Sequence, residues 1–327
     1  MTERTAKRLA IDDMVVEHRS RGGIVHAVAG VSLDLAAGET LGLVGESGCG
    51  KSSLARAIVG LNTPKSGSIR IDGQPTDTRR RGAQARQIQM VFQDPYGSLN
   101  PRSSVRELVE EPLSVHRLGS KAERRARAKE LLERVGIPLA MHDRLPHQLS
   151  GGQRQRVGIA RAIALEPKII ICDEPVSALD VSVQAQVLNL LLDLQREQDL
   201  TFLFISHDLE VVRYVSHRIA VMYLGVIVEI GPAEGIWSLP LHPYTRALMQ
   251  TAGDAERVAA TGPVVKLASE LPNPLNPPSG CRFRTRCPLA IDRCSRDVPS
   301  LEDFGNGHRV ACHRASEWAP QAMSGAA

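Results

Sequence analysis

Short apolar runs rich in β-branched residues open the chain. Leu9 to Val16 and Val25 to Leu35, the second closed by Ala36-Ala37-Gly38-Glu39, predict an antiparallel strand pair. The fully apolar Leu41-Gly42-Leu43-Val44 suits a buried strand, and Ser53-Leu54-Ala55-Arg56-Ala57-Ile58 a helix soon after it. Ser68-Ile69-Arg70-Ile71 followed by Asp72-Gly73 predicts a hairpin. Later, Lys168 to Cys172, Thr201 to Ile205 and Arg218 to Tyr223 are apolar runs separated by helical segments, the alternation of a parallel sheet covered on both faces. Between Gln93 and Gly158 strand runs cease, and Ser104-x-x-Glu107 and Ser120-x-x-Glu123 have capping-box form, predicting an inserted helical subdomain over about 94–158. Beyond Gly231-Pro232 the pattern fades, and the proline-rich 271–278 cannot be helix interior. The expected organisation is an α/β core over 8–240, a helix and proline-rich linker over 241–280, and a cysteine-containing extension over 281–327.

Composition narrows this picture. Hydrophobic residues make up 43% of the 327 positions but aromatics only 3%, so the core must be built from Leu, Ile, Val and Ala. A net charge of +4 demands no nucleic acid, and none is expected as a partner. The clusters Arg79-Arg80-Arg81 and Lys121 to Lys129 are read as a solvated loop and a charged helix face. Met1 to Arg8 precedes no apolar signal core, and no stretch approaches the ~18 uninterrupted apolar residues of a membrane span. The chain is expected to stay in the cytosol, held at any membrane by partners.

Chemistry enters at Gly45-Glu46-Ser47-Gly48-Cys49-Gly50-Lys51-Ser52, which fits Gly-x-x-x-x-Gly-Lys-Ser between a predicted strand and a helix. Its glycines let successive amides turn onto phosphate oxygens, Lys51 can reach the β- and γ-phosphates, and Ser52 is the expected magnesium ligand. Ser53 continues the loop into the helix. The bland alternative is a strand-to-helix turn that binds nothing. Ile169-Ile170-Ile171-Cys172 delivers Asp173 and Glu174 to a strand end, where open α/β sheets bind ligands. Asp173 would hold Mg²⁺ and Glu174 would polarise the water attacking the γ-phosphate. An acidic pair there can equally be a helix N-cap. Ser150-Gly151-Gly152-Gln153, also of capping-box form, starts a helix at Arg154 to Leu165 and provides a second anion site. Two phosphate-binding helix starts in one chain suggest a nucleotide sandwiched between two chains.

The loop at 45–52, Gln93 in Val91-Phe92-Gln93-Asp94-Pro95, Leu149-Ser150-Gly151-Gly152-Gln153, Asp173-Glu174, Ser177-Ala178-Leu179-Asp180 and His207 in Ser206-His207-Asp208 together resemble an ABC-type ATPase domain. The resemblance implies a P-loop α/β core with a mixed sheet, an antiparallel β subdomain and a helical subdomain. It also implies that Gln93 links magnesium to the helical subdomain and that His207 contacts the γ-phosphate. Ser150 to Gln153 and Asp180 would serve nucleotide, the former that of an opposing subunit. This family usually stacks adenine on an aromatic residue upstream of the loop; no Phe, Tyr or Trp stands there, and His18 or His26 is the expected substitute. Adding Asn100-Pro101-Arg102, Cys172 to Gln186 and Leu241-His242-Pro243-Tyr244-Thr245-Arg246-Ala247-Leu248, nearly the whole chain is similar to the ATP-binding subunits of bacterial oligopeptide and dipeptide importers. That likeness implies ATP-driven peptide import at the cytoplasmic face of the inner membrane. The implied partners are a second ATPase subunit, two transmembrane permease subunits and an extracytoplasmic peptide-binding protein. Importers of nickel and other small solutes share the template, and soluble ABC ATPases acting on nucleic acid or ribosomes are a more distant rival.

Cys49 and Cys172 read as small buried residues. Cys281, Cys287, Cys294 and Cys312 cluster in a stretch rich in Gly, Pro and Arg, where a cytosolic setting disfavours disulfides. Their separations do not follow the close pairs of zinc fingers, and four thiolates suit an iron–sulfur cluster. Arg282, Arg284, Arg286 and Arg293 would offset its charge, with His308 and His313 as possible stand-in ligands. The peptide-importer resemblance implies a [4Fe–4S] cluster; zinc and free thiols are the alternatives.

Overall fold

The structure, a computed structural model, describes residues 7–76, 82–267 and 270–319; the cluster Arg79-Arg80-Arg81 lies outside them. Strands β1 (Lys7–Ser20) and β2 (Gly23–Ala36) lead to β3 (Thr40–Val44) and helix α1 (Lys51–Ile58). Next come β4 (Ser66–Ile71), β5 (Gln74–Pro75), α2 (Ala83–Gln87) and β6 (Ile88–Val91). Helices α3 (Pro95–Ser98), α4 (Val105–Val115), α5 (Lys121–Arg134) and α6 (Gly151–Ile163) precede β7 (Ile169–Asp173), α7 (Val181–Gln198) and β8 (Thr201–Ile205). The chain continues through α8 (Leu209–Val215), β9 (Arg218–Tyr223), β10 (Val226–Pro232), α9 (Ala233–Ser238) and α10 (Pro243–Thr251). It closes with α11 (Ala255–Ala260), α12 (Arg293–Arg296), β11 (Glu302–Asp303) and β12 (Arg309–Val310).

These elements fall into two compact units. The first comprises Met1–Leu9, Asp34–Glu39 and Arg70–Ile205. Its core is a parallel trio in which Ile88↔Ile169 to Val91↔Cys172 join β6 to β7, and Ile169↔Thr201 to Asp173↔Ile205 join β7 to β8. Every residue of β7 and β8 is buried, so unbroken Ile, Leu and Phe runs are what a two-sided sheet interior requires. Helices α3 to α6 fill the stretch without strands, and α4 and α5 begin with the reciprocal Ser104/Glu107 and Ser120/Glu123 caps their sequences predict. Asp72 and Gly73, at φ 48° and 75°, make the two-residue turn between β4 and β5, a pair of left-handed positions that suits the twist of a hairpin. Strand β6 is not anticipated by the sequence reading, for it offers only four residues with Gln89 half-buried among them.

The second unit comprises Ala10–Leu33, Thr40–Ile69 and Ser206–Ala327. Here β3 pairs in parallel with β9, β9 antiparallel with β10, β10 with β12 and β12 with β11, which makes this sheet mixed. A second sheet places β1 between β2 and β4. The proline-rich 271–278 is not helical. The cysteine-bearing tail joins the unit through its backbone: Glu229↔Val310 and Ile230↔Arg309 add β12 to β10, and the Ala311 amide donates to the Val228 carbonyl at 2.8 Å. Among the described residues no helix is long and apolar enough to cross a membrane.

Candidate active site

In the second unit the buried strand β3 runs into the glycine loop. Gly45 (φ 155°) and Gly50 (φ 111°) hold backbone conformations that side-chain-bearing residues rarely adopt. A Cβ at Gly45 would stand 2.2 Å from the Met222 carbonyl oxygen, and one at Gly50 2.0 Å from that of Ala27. The loop is thus wedged between two backbones where nothing larger than glycine fits. Helix α1 starts at Lys51 with no side-chain cap and no acidic residue in its first turn, so no carboxylate of its own first turn offsets its positive end. Lys51 is buried; its ammonium donates to the carbonyls of Gly45 at 2.7 Å and Glu46 at 3.0 Å. Cys49 is buried beneath, its amide donating to the Glu46 carbonyl and its own carbonyl accepting from Gly225, and burial pushes its thiol pKa up. That fits the small-buried-residue reading.

Three further expected residues, His207, His18 and His26, belong to this unit. The Ser206 amide donates to the Leu43 carbonyl on β3 at 3.3 Å, which holds the residue before His207 at the strand that feeds the loop. Asp208 then caps α8, its carboxylate accepting from the amides of Glu210 and Val211. Of the two histidines offered for adenine, His18 Nε2 lies 3.0 Å from the Ser53 hydroxyl at the start of α1. His26 instead pairs with Glu17 at 3.0 Å, and Glu17 also pairs with Lys65 at 2.7 Å. His18 therefore touches the loop helix.

In the first unit β7 ends at Asp173, which is buried, and Glu174 follows at φ 47°. A left-handed glutamate costs about 1–3 kcal/mol, a strain that persists only where the surroundings over-determine it. Three contacts do so: the Glu174 amide donates to the Ile205 carbonyl at 2.9 Å, its carbonyl accepts from the Ser177 hydroxyl at 3.1 Å, and its carboxylate accepts from Gln93 Nε2 at 2.9 Å. Two residues expected to share the chemistry are thus in direct hydrogen-bond contact. The bland reading of the acidic pair as an N-cap fails for Glu174, since α7 starts after Asp180, whose side chain makes no capping bond.

Ser150 caps α6 as its sequence predicts, accepting from the Gln153 amide at 3.3 Å while Gln153 Oε1 accepts from the Ser150 amide at 2.9 Å. This box occupies two amides at the helix start. Those of Gly151 and Gly152 are then the first-turn donors without a carbonyl four residues back. Gly151 faces Leu179 and Gly152 faces Val183, so the glycines also let α6 lie against the segment entering α7.

The four tail cysteines line one small cavity of about 20 Å³, with Phe283 and Trp318 among its walls. Burial pushes the Cys287 thiol up to about 11 and the Cys312 thiol up to about 12, and raises that of Cys281. The donor chemistry suits a thiolate-bound group, which would supply the positive charge these buried sulfurs lack. Among the described residues, however, no group of three or more His, Cys, Asp or Glu side chains is arranged to hold a metal ion. Of the arginines expected to offset a cluster, Arg284 lines the cysteine cavity, and all four make hydrogen bonds to other groups. Arg282 donates to the Leu224 carbonyl, Arg284 to that of Ser279 at 2.9 Å, Arg286 to Glu46 at 2.8 Å and Arg293 to Asp297 at 3.2 Å. His308 turns away to Glu229 at 2.7 Å, whereas His313 lines the cavity with its Nε2 3.1 Å from the Asp297 carbonyl.

A phosphate loop, an acidic strand end bonded to a glutamine and a glycine-started helix are the parts of an ATP-binding cassette, and comparison with known proteins agrees. The family described as "ABC transporter" matches residues 28–177, and "Oligopeptide/dipeptide transporter, C-terminal region" matches 228–294. A probable peptide ABC transporter ATP-binding protein of Sinorhizobium fredii is 51% identical, over 89% of this chain and 83% of that relative. The oligopeptide transport ATP-binding protein AppF of Bacillus subtilis is 49% identical over 89% of this chain and 90% of its own length. Among solved structures, a dimeric post-hydrolysis state of the cassette MJ0796 bound to ADP and Pi shares 32% identity with a TM-score of 0.62, covering 69% of this chain and 98% of that one. The chain belongs to the family of peptide ABC transporter ATP-binding proteins. It is an ATPase subunit whose family works with membrane permeases and a substrate-binding protein.

Proposed function

We propose that this chain hydrolyses ATP to energise peptide import, paired with a second, paralogous ATPase subunit on two permease subunits at the cytoplasmic face of the inner membrane. The hydrogen bond from Gln93 to Glu174 carries the catalytic part, since it fixes a carboxylate at the end of β7 in one orientation. Glu174 takes a proton from the attacking water as its oxygen bonds to the γ-phosphorus, and the bond to the β-phosphate oxygen breaks to leave ADP and phosphate. Lys51 and the amides of residues 45–53 bind the β- and γ-phosphates, and His207 contacts the γ-phosphate. Ser150 to Gln153 serve the nucleotide of the opposing subunit, Asp180 also serves nucleotide, and His18 stacks on adenine. Ser52, Asp173 and Gln93 would hold Mg²⁺, which neutralises phosphate charge when bound. The peptide assignment rests on the match of 228–294 and on the names of the relatives, which favour it over nickel or nucleic acid.

Glu174→Gln keeps the hydrogen bond to Gln93 possible but removes the base. Turnover should fall ~10²-fold or more, with ATP binding retained and an ATP-dependent dimer visible by size exclusion. Cells carrying only this variant should lose uptake of a labelled tripeptide and keep nickel uptake. Normal hydrolysis by the variant would remove the catalytic assignment, and intact peptide uptake the transport one.

For the tail, the reading is a [4Fe–4S] cluster held by Cys281, Cys287, Cys294 and Cys312, supported by four sulfurs lining one cavity. Anaerobic purification should give a brown protein containing iron. A colourless protein with zinc, or with neither metal, overturns it.

A further inference from the structure

Glu46, the first variable position of the glycine loop, is gripped from the C-terminal third of the chain. Its carboxylate accepts from Arg286 Nη1 at 2.8 and 3.1 Å, and its amide donates to the Tyr244 hydroxyl at 2.9 Å. Its carbonyl is one of the two that hold the Lys51 ammonium. The partners are themselves fixed. Arg286 has a side chain 3% exposed, and Tyr244 is fully buried at the start of α10. Phe283 packs its ring 5.4 Å from that of Tyr244 and 5.2 Å from that of Tyr223, over which the Arg286 guanidinium also lies. A surface glutamate on a loop does not need a buried arginine. A loop that must present its lysine and amides in one geometry gains from having its least constrained residue held at side chain, amide and carbonyl.

We propose that Arg286 and Tyr244 are positioning residues for the ATP site, holding Glu46 so that the loop is preorganised for the β- and γ-phosphates. The cysteine-bearing tail thereby acts on nucleotide binding through a charged contact spanning 240 residues of sequence. The inference rests on the ATP-site reading above. Arg286 and Tyr244 each act through Glu46.

The test measures the dissociation constant of the full chain for a fluorescent ATP analogue, with KM, kcat and melting temperature, in Arg286→Met, Arg286→Lys, Tyr244→Phe and Glu46→Gln. Arg286→Met and Glu46→Gln should each weaken binding and raise KM ~10-fold while kcat stays within about two-fold, because misplacing a binding loop costs affinity before it costs chemistry. Arg286→Lys should recover part of the loss. The double variant Glu46→Gln/Arg286→Met should be no weaker than either single one, since both remove the same contact. Tyr244→Phe keeps the ring and loses only the acceptor, so it reports the amide contact even if Arg286→Met folds poorly. Unchanged affinity in Arg286→Lys, Tyr244→Phe and Glu46→Gln, or losses that multiply in the double variant, overturns the proposal. Wild-type protein that fails to bind the analogue would instead overturn the ATP-site reading itself.

Discussion

At the scale of single residues, the buried acid Glu229 and the imidazoles around it set how the second unit responds to acid. Glu229 accepts from the amides of Leu241 at 2.7 Å and His242 at 2.9 Å and pairs with His308. Burial alone would raise its carboxyl, but His308, Thr245 and the Leu241 amide outweigh it, so its pKa is lowered. Its stabilisation is present above its unfolded value of 4.5 and fades as pH falls below that. His242 acts over a separate window. Its Nδ1 accepts from the Tyr244 amide to cap α10, which requires an unprotonated ring nitrogen, and burial lowers its pKa from 6.5 to about 4. Between those values the unfolded chain binds a proton that the folded one does not, so stability falls as pH drops from 6.5 to 4, by about 3 kcal/mol at most. His242→Asn keeps a capping acceptor and removes the titration. Urea melts at stepped pH should therefore give the variant a flatter stability profile across that window; an identical slope in both proteins would place the titration elsewhere. Gln93 stood out only through the family resemblance, whereas the loop, Glu174 and Ser150 were legible in sequence because each sits in a short pattern with its own mechanism. Glu229 with His308, and Glu46 with Arg286, were not, because their partners lie 79 and 240 positions away and no local spacing encodes the meeting.

Among elements, the contact between α6 and α7 shows how a functional pattern can also be a packing pattern. Gly152 occupies the first turn of α6, and a Cβ there would lie 2.3 Å from Val183 Cγ1 on α7. Alanine favours a helix over glycine by about 1 kcal/mol, but overpacking a tight contact costs about 1–3 kcal/mol, so the second effect should win. Gly152→Ala is expected to destabilise by about 1–2 kcal/mol in urea unfolding, and adding Val183→Ala should return most of it. Equal losses with and without valine would mean that the helix start, not the packing, is what glycine serves. The same separation of causes explains what the sequence showed at this scale. Capping boxes at Ser104, Ser120 and Ser150 and the Asp72-Gly73 turn are local chemistry and appear where expected. Strand β6 exists through its pairing with β7, Ile88↔Ile169 to Val91↔Cys172, a nonlocal cause that four residues cannot advertise.

For the whole molecule, the C-terminal tail decides whether the second unit can stand without it. Read from sequence, residues beyond the prolines are a cysteine-containing extension rich in Gly, Pro and Arg, and the structure shows where their apolar residues go. Val310 and Ala315 pack with Leu241 in a small buried cluster, and Trp318 Nε1 donates to the Leu241 carbonyl at 2.8 Å. Strand β12 pairs with β10, His308 hydrogen-bonds the wholly buried Glu229, and Phe283 covers Tyr223 and Tyr244. Leaving one buried charge without its partner costs about 3–5 kcal/mol, a large part of the ~5–15 kcal/mol that holds a domain folded. Ending the chain before Ser279 removes that partner and, with it, the aromatic cover and the strand. The shortened protein should show no cooperative thermal transition and should collect in the insoluble fraction. His308→Ala alone should lower the melting temperature while staying folded, because it removes one of these contacts and keeps the rest. A soluble truncated chain melting at the wild-type temperature would make the tail an independent module, and the contacts at Glu229, Leu241 and Glu46 would then be incidental to the fold.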